Sequence, residues 1–565
     1  MLACLLPARN EAEHLSGWFE SVRRFADVVV ALDDGSTDDT RALLDASPLV
    51  SCVIENPVRP TYRGWNDAEN RGRLLAASEP LDPEWVMFLD ADERIPPDDA
   101  AALRSFLEAG ADSDDAYLFR VYRMADDLEH YGRAGPWVGR LFAFRPGLHL
   151  PRERLHLVPL PTSIPLGRRR RTTIRIQHLA GLTEERRHAQ FEKYQEADPG
   201  RTHQAGYSHL LASPARLRTW WARSPHLPVL ANRPVPDPPP GLGDDNVPIM
   251  SVVVIAQNDE SRIERAVRAI ANQQCPEPFE TIVVTSGRDR TAHVVRDRFP
   301  GVEVVELDHP VLPGEARNAG LRVARGRYVT FPGSHVEVMP GSLAAEVRAH
   351  RCGYAMVMGS MLNGTDTPAG WASYFLDNPG ALPGRPSQAL DVAPARCSYV
   401  RETLVEMGGF PEDMRAGEDT VVNVELFERG YSAFRAQEIV FVHRSHCRTV
   451  SKLASHHFVR GRAMGRILFD DAVGRGRLLN RRVVRFVGFA STATRLWRAT
   501  RAVSVWGDAL RTRYWRCSPL VVLGAVSSWL GGCYELARLA SRARFRRAFS
   551  HAASHHQKRR ARETY

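Results

Sequence analysis

The chain has 565 residues, enough for three or four domain-sized pieces, with 44% hydrophobic and 25% charged residues. That balance excludes a disordered, collagen-like or disulfide-scaffold chain and permits large cores. The formal net charge is +9, yet residues 451–565 alone hold 24 Lys+Arg against 5 Asp+Glu, or +19, leaving 9 − 19 = −10 for the rest. A mildly acidic body with a strongly basic end predicts a tail that meets an anionic surface.

The eight cysteines stand at 4, 52, 275, 352, 397, 447, 517 and 533, with no CxxC pair and no zinc-like spacing. Reduced, mostly buried thiols of a cytosolic protein are expected. The opening MLACLLPARNEAE has no basic leader and only a short apolar run. It predicts a first β-strand rather than a secretion signal.

Taken in chain order, the first segment reads LACLLPA as a strand, Asn10-Glu11 as a polar turn, and EHLSGWFESV as an amphipathic helix. A strand ADVVVAL leads into LDDGSTDDT (32–40), with a helix near 38–45. LVSCVIE, a helix near 66–78 and the strand of EWVMFLDADE follow. Strand VMFL ends in Asp90-Ala91-Asp92. Two carboxylates one residue apart at a strand end suit one Mg²⁺ or Mn²⁺, which prefer oxygen ligands shared with phosphates. RRRR (168–171) reads as a solvated basic loop before the strand that ends in His178.

NRPVPDPPPGLGDDNVP (232–248) is too rich in Pro and Gly for helix or central strand, and 201–247 is expected to be a connector. The pattern then starts again. MSVVVIAQNDESRIERAVRAI repeats the first opening, with Asn258 for Asn10 and Asp259 for Glu11. FETIVVT, a helix near 289–298, VEVVEL, a helix near 314–325 and RYVTFPGSH repeat the alternation. Strands alternating with helices predict βαβ units and a mostly parallel sheet in each half. The fold class is therefore α/β, with Rossmann-like domains at 1–200 and 248–450 and a basic helical segment at 451–565. In that segment SPLVVLGAVSSWLGGCY (518–534) is uncharged and flanked by arginines on both sides. Helices lying in a membrane interface are preferred to a single span, with a buried soluble hairpin as the plain alternative.

The order Asn-Glu, DDGSTD, DAD at these spacings resembles family 2 glycosyltransferases of the GT-A fold, over most of residues 2–180. The resemblance implies that Pro7, Arg9, Glu11 and Asp34 surround a nucleoside. It implies that Asp90 and Asp92, with the late His178, hold a divalent metal and a diphosphate. Relatives carry His-Glu after the acceptor loop, whereas this chain reads His156-Leu157, which leaves its base open, with Glu153 as a weak substitute.

The second segment resembles the family with the opposite gaps. PGEARNAGLRVARGRYVTF (313–331) and RCSYVRETLVEMGGFPEDMRAGEDTVVNVELFERGY (396–431) match it, and His443 matches the late histidine. By resemblance Asp419 is the general base and Glu418 stabilises the acceptor side. The metal pair is missing: Gly333 and His335 align with Asp90 and Asp92, and Thr285 and Ser286 replace the nucleoside-side aspartates.

The expected activity is inverting, metal-assisted transfer from a nucleotide-diphosphate sugar to the hydroxyl of a lipid-linked or cell-envelope glycan. It would occur at the cytoplasmic membrane face, without nucleic acid. Two alternatives stay open: a non-catalytic membrane-bound nucleotide- or glycan-binding scaffold, and a two-site enzyme whose second domain works without metal.

Overall fold

The structure is a computed structural model. It describes residues 1–155, 157–203, 206–211, 217–235, 247–474, 481–506 and 508–562. His156 and most of the Pro-rich stretch lie outside the described residues. The chain divides into two units, the first Met1–Ala231 and the second beginning at Asn232 and including the C-terminal helices.

Unit one contains β1 (Leu2–Ala8), α1 (Ala12–Val22), β2 (Val28–Asp33), α2 (Thr40–Ala46), β3 (Val50–Glu55), α3 (Asp67–Ser78), β4 (Trp85–Phe88), β5 (Glu93–Arg94) and α4 (Pro97–Ala109). It continues with β6 (Ala116–Ala125), β7 (Asp127–Ala143), β8 (Arg169–His178), α5 (Glu184–Ala197) and β9 (Arg218–Thr219). The sheet order is β3-β2-β1-β4-β7-β6-β8-β5. Strands β1 to β4 are parallel, and β7 joins β4 antiparallel.

Unit two contains β10 (Met250–Ala256), α6 (Glu260–Ala271), β11 (Phe279–Ser286), α7 (Thr291–Arg298), β12 (Glu303–Leu307), α8 (Pro313–Val323), β13 (Tyr328–Thr330), β14 (Val336–Val338) and α9 (Ser342–Arg351). Then come β15 (Met356–Asn363), α10 (Pro368–Asp377), β16 (Gln388–Ala389), β17 (Ser398–Val400), α11 (Arg401–Glu406), α12 (Glu418–Glu428) and β18 (Ala433–His443). Three long helices follow: α13 (Val450–Gly474), α14 (Arg481–Trp506) and α15 (Asp508–Arg562). The sheet order, β12-β11-β10-β13-β17-β15-β18-β14, repeats that of unit one strand for strand.

The repeat is also one of packing. Helix α1 buries Leu15, Trp18, Phe19 and Val22, and α6 buries Ile263, Ala266, Val267 and Ile270, the same i, i+3, i+4, i+7 stripe. The strands beneath are buried on both faces, so they read as unbroken apolar runs. Each fully buried large side chain contributes about 1.5–3 kcal/mol of hydrophobic stabilisation.

Two sequence expectations change. Part of the expected connector belongs to unit one: β9 pairs with β7, and Trp220 and Trp221 pack on Tyr122 and Tyr131. The RRRR run is not a free basic loop. Arg169–Arg171 open β8, Arg168 and Arg170 reach Asp115 at 3.0 and 2.9 Å, and Arg171 lies over Trp137. Three acids at 112, 114 and 115 at the start of β6 draw the arginines down onto the sheet edge.

Within helix α15 the stretch Ala509–Leu539 is long and apolar enough to cross a membrane by length and composition, and 44% of an 18-residue window in it is buried inside the protein. Its inner face packs Tyr514, Val521 and Ala525 onto Phe375 and Leu376 of α10. Its outer face exposes Trp515, Val522, Leu530 and Tyr534.

Candidate active sites

In each unit the strand order reverses beside the first strand, the position where open α/β sheets bind ligands at strand carboxyl ends. In unit one β1, β2 and β4 end together there, with Ala8 opposite Asp33 and Leu5 opposite Phe88.

The turn after β1 is held by the loop after β2. Asn10 takes a left-handed conformation (φ 53°), and its Oδ1 accepts a hydrogen bond from the Thr37 backbone N–H at 2.8 Å. The Glu11 N–H donates to Thr40 Oγ1 at 2.8 Å, and the Ala12 N–H to Asp38 Oδ2 at 3.1 Å. Unit two repeats this brace. Asn258 has φ 52° and accepts from the Arg288 N–H, the Asp259 N–H donates to Thr291, and the Glu260 N–H donates to Asp289. Asn10 and Asn258 thus shape the backbone and tie the turn after the first strand to the loop after the second.

Asp34 is buried and accepts from Asn56 Nδ2 at 2.6 Å and from the Arg59 guanidinium. Arg9 is also buried; it donates to the Arg59 carbonyl at 2.6 Å and stacks over Tyr62 at 4.2 Å. Pro7 lies in β1 opposite Leu32. The loop 56–65 therefore links Asp34 and Arg9, a contact the sequence did not announce.

Beside them lies a charged cluster. Arg71 of α3 donates to Asp67 at 2.9 Å and to Asp90 Oδ1 at 2.7 Å, and Arg140 of β7 reaches Asp90 Oδ2 at 3.1 Å and Glu93 at 2.5 Å. His178 Nε2 stands 3.2 Å from Asp92 Oδ2, because Glu93 and His178 are partners in the β5–β8 pair. Burial pushes Asp90 upward, but Arg71 and Arg140 outweigh it and hold Asp90 at about 2. His178 and Lys193 hold Asp92 far below the usual carboxylate range against its burial. Burial opposes the charged His178 ring, but Asp92 prevails and raises it. Glu11 is pushed up to about 8, chiefly by burial, with Lys193 opposing and Asp92 and Asp90 adding.

By chemistry two carboxylates and an imidazole suit a divalent cation, but here Asp90 is turned to Arg71 and Arg140, and only Asp92 and His178 are in contact. In this structure His178 is the ion-pair partner of Asp92, and its imidazole would have to lose its proton to act as a metal ligand. Arg71, Arg140, Glu93 and Lys193 were missed from sequence. Arg71 had a signal, since it lies four residues after Asp67 on one helix face. Glu153 lines a cleft of about 1090 Å³ with Asn66, Glu69 and Gly72 of the α3 region, residues other than those that face Asp90.

In unit two Glu418 and Asp419 begin α12 after Gly417, which takes φ 90°. Glu418 is buried against Arg317 of α8. Asp419 accepts the Thr420 N–H at 2.7 Å. Burial raises it, but Arg317, Arg396 and Arg460 together hold it below the ordinary carboxylate value. Where unit one has its aspartates, Ser334 Oγ hydrogen-bonds Asp259, and the rings of His335 and His443 meet at 5.0 Å. Burial, reinforced by nearby arginines, lowers His335 to about 4 and His443 to about 2, so both are neutral at neutral pH. Cationic residues surround the unit-two carboxylates, with no carboxylate pair at 333–335.

The chain matches the model of "Glycosyl transferase family 2" at residues 4–176 and 251–389, together more than half its length. An uncharacterised protein of Mycobacterium tuberculosis is 28% identical over 202 residues, covering 34% of this chain and 49% of that protein. This chain thus spans about half the length of that relative. A pre-mycofactocin glycosyltransferase of the same species is 26% identical over 345 residues, covering 52% of this chain and 69% of the relative. Among solved structures, S. aureus TarS 1-349 is 16% identical with TM-score 0.30, covering 52% of this chain and 91% of that one. With its matched segments falling on both α/β units, the chain belongs to glycosyl transferase family 2.

Proposed function

We propose that unit one holds a nucleotide-diphosphate sugar and that the chain moves the sugar, with inversion, to an acceptor hydroxyl on a lipid-linked or envelope glycan. The observation that carries this reading is the pair Asp90 and Asp92 just after β4, with Asp92 against His178 and both carboxylates raising Glu11. Asp90, Asp92 and His178 would hold Mg²⁺ or Mn²⁺, which supplies positive charge against a leaving diphosphate. Arg71 and Arg140 fix Asp90, and His178 fixes Asp92, so the carboxylates are oriented in advance. Pro7, Arg9, Glu11 and Asp34 line the nucleoside side, and Arg59 must release Asp34 for a base to reach it.

In unit two Asp419 stays ionised among arginines, with Glu418 locked on Arg317 behind it, and is the candidate base for a transfer carried out within unit two. That arrangement favours a second reading, in which unit two performs its own transfer without a metal. We place the chain at the cytoplasmic membrane face, held by the outer face of α15. Domain limits of 1–200, 201–247, 248–450 and 451–565 become, on this reading, a first domain to about 231 and a second that includes the helices.

The test is nucleotide release from a panel of nucleotide sugars with Mn²⁺. Asp90→Asn/Asp92→Asn should abolish release, and Asp419→Asn should leave it. Release that depends on Asp419 and ignores the aspartate pair moves catalysis to unit two. No binding or turnover of any donor leaves the scaffold reading.

A further inference from the structure

Unit two contains a cluster of donor groups that the transfer chemistry does not use. Asp377 is the last residue of α10, and its side chain is 3% exposed. His456 Nε2 stands 3.0 Å from Asp377 Oδ2, and Arg460 Nε lies 3.1 Å from Oδ1. The adjacent His457 is 0% exposed, and neither of its ring nitrogens has a hydrogen-bond partner. Its Nδ1 faces Asp377 Oδ1 at 4.0 Å. Gly524 of α15 lies so close that a Cβ there would come within 2.9 Å of the imidazole. Beyond His456 are the wholly buried Cys447 and the exposed His446. The donor atoms of Asp377, His456 and His457 lie within 4.8 Å of one another, as do those of His446, Cys447 and His456.

A buried imidazole with both nitrogens unpaired forfeits their hydration without return. Helix α15 packs its Gly524 against the ring, and a metal ion at Asp377 would engage one nitrogen directly. We propose that Asp377, His456 and His457, with Cys447 beside them, bind one divalent ion of the zinc class. Oxygen, nitrogen and sulfur donors in a closed set suit tetrahedral Zn²⁺ and not Mg²⁺. Cys447 coordinates as thiolate and gives its proton to solvent. Arg460 stays on Asp377 Oδ1 as an outer partner that orients the carboxylate. The ligands come from α10, the segment after β18, and α13, while α15 packs on His457. The ion therefore fastens the helical segment to the sheet of unit two. This site is separate from the residues assigned to donor binding and does not depend on that assignment.

The experiment uses the full chain, stripped with chelator, titrated first with Zn²⁺ alone and then with Co²⁺. One Zn²⁺ per chain and a raised Tm are expected, with intense tetrahedral Co²⁺ bands and a thiolate-to-cobalt charge-transfer band. His456→Ala should weaken Zn²⁺ by tenfold or more, and Cys447→Ser should remove the charge-transfer band. Asp90→Asn/Asp92→Asn should leave Zn²⁺ bound. The proposal fails if the stripped chain takes up no Zn²⁺, if its Co²⁺ spectrum is octahedral without charge transfer, or if the unit-one pair removes the metal. The wild-type Co²⁺ spectrum decides the ligand set even where a variant does not fold.

Discussion

Asp90 shares two guanidiniums with Asp67 and Glu93, and each member of that set is buried or half-buried. Removing one charge from such a group strands the others. Arg71→Leu is expected to cost unit one about 3–5 kcal/mol, read by urea unfolding. Glu346 is a different case. It is buried in unit two with only hydroxyl partners, and burial raises it from 4.5 to about 8. The folded state binds its proton more tightly than the unfolded state does. Stability from this group is full below 4.5 and is lost as pH rises through about 8. Glu346→Gln should therefore flatten the fall in Tm between pH 5 and pH 9 and raise Tm at the upper end. The strand-end aspartates were legible because two acids one residue apart directly follow the apolar run of β4. Arg140 and Arg317 were not, because each meets its acid only after 47 and 101 residues of chain have folded between them.

At the level of elements, the Asn-acid turn was legible in both halves, and the structure gives it a mechanical role. The helix edges of the repeat were also read closely, since the apolar stripes of α1 and α6 fix which face is buried. The RRRR run was misread because nothing local shows which acids lie across a sheet. The C-terminal helices were seen as helices, but not their packing. Gly461 of α13 faces Ser528 of α15 so closely that a Cβ would fall 1.8 Å from its carbonyl oxygen, and Gly531 sits 2.0 Å from the Phe458 carbonyl by the same measure. Small residues here let two backbones touch. Gly461→Leu should force α13 and α15 apart and cost about 1–3 kcal/mol, read as a lower Tm of the full chain.

On the scale of the whole molecule, residues 451–565 carry a net +19 against −10 for the rest. Trp515, Val522, Leu530 and Tyr534 form an exposed apolar face on α15, and Arg511, Arg516 and Arg538 lie on the same helix. Such a face suits the boundary of an anionic bilayer. Binding to vesicles containing phosphatidylglycerol should exceed binding to neutral vesicles, and Trp515→Asp/Leu530→Asp should weaken it in a flotation assay. Salt at about 0.5 M should weaken the attraction too, because charges then act over only a few ångströms.

The two sheets share one strand order. During synthesis, the first half is complete while strands of the same pattern are still emerging. Any later strand that resembled its counterpart closely would compete for the same sheet edge and trap the nascent chain in a hybrid. Divergence between the halves therefore has a use apart from chemistry: it lets each strand recognise only its own neighbours. A chain engineered toward identical halves would be expected to misassemble before it could bind anything.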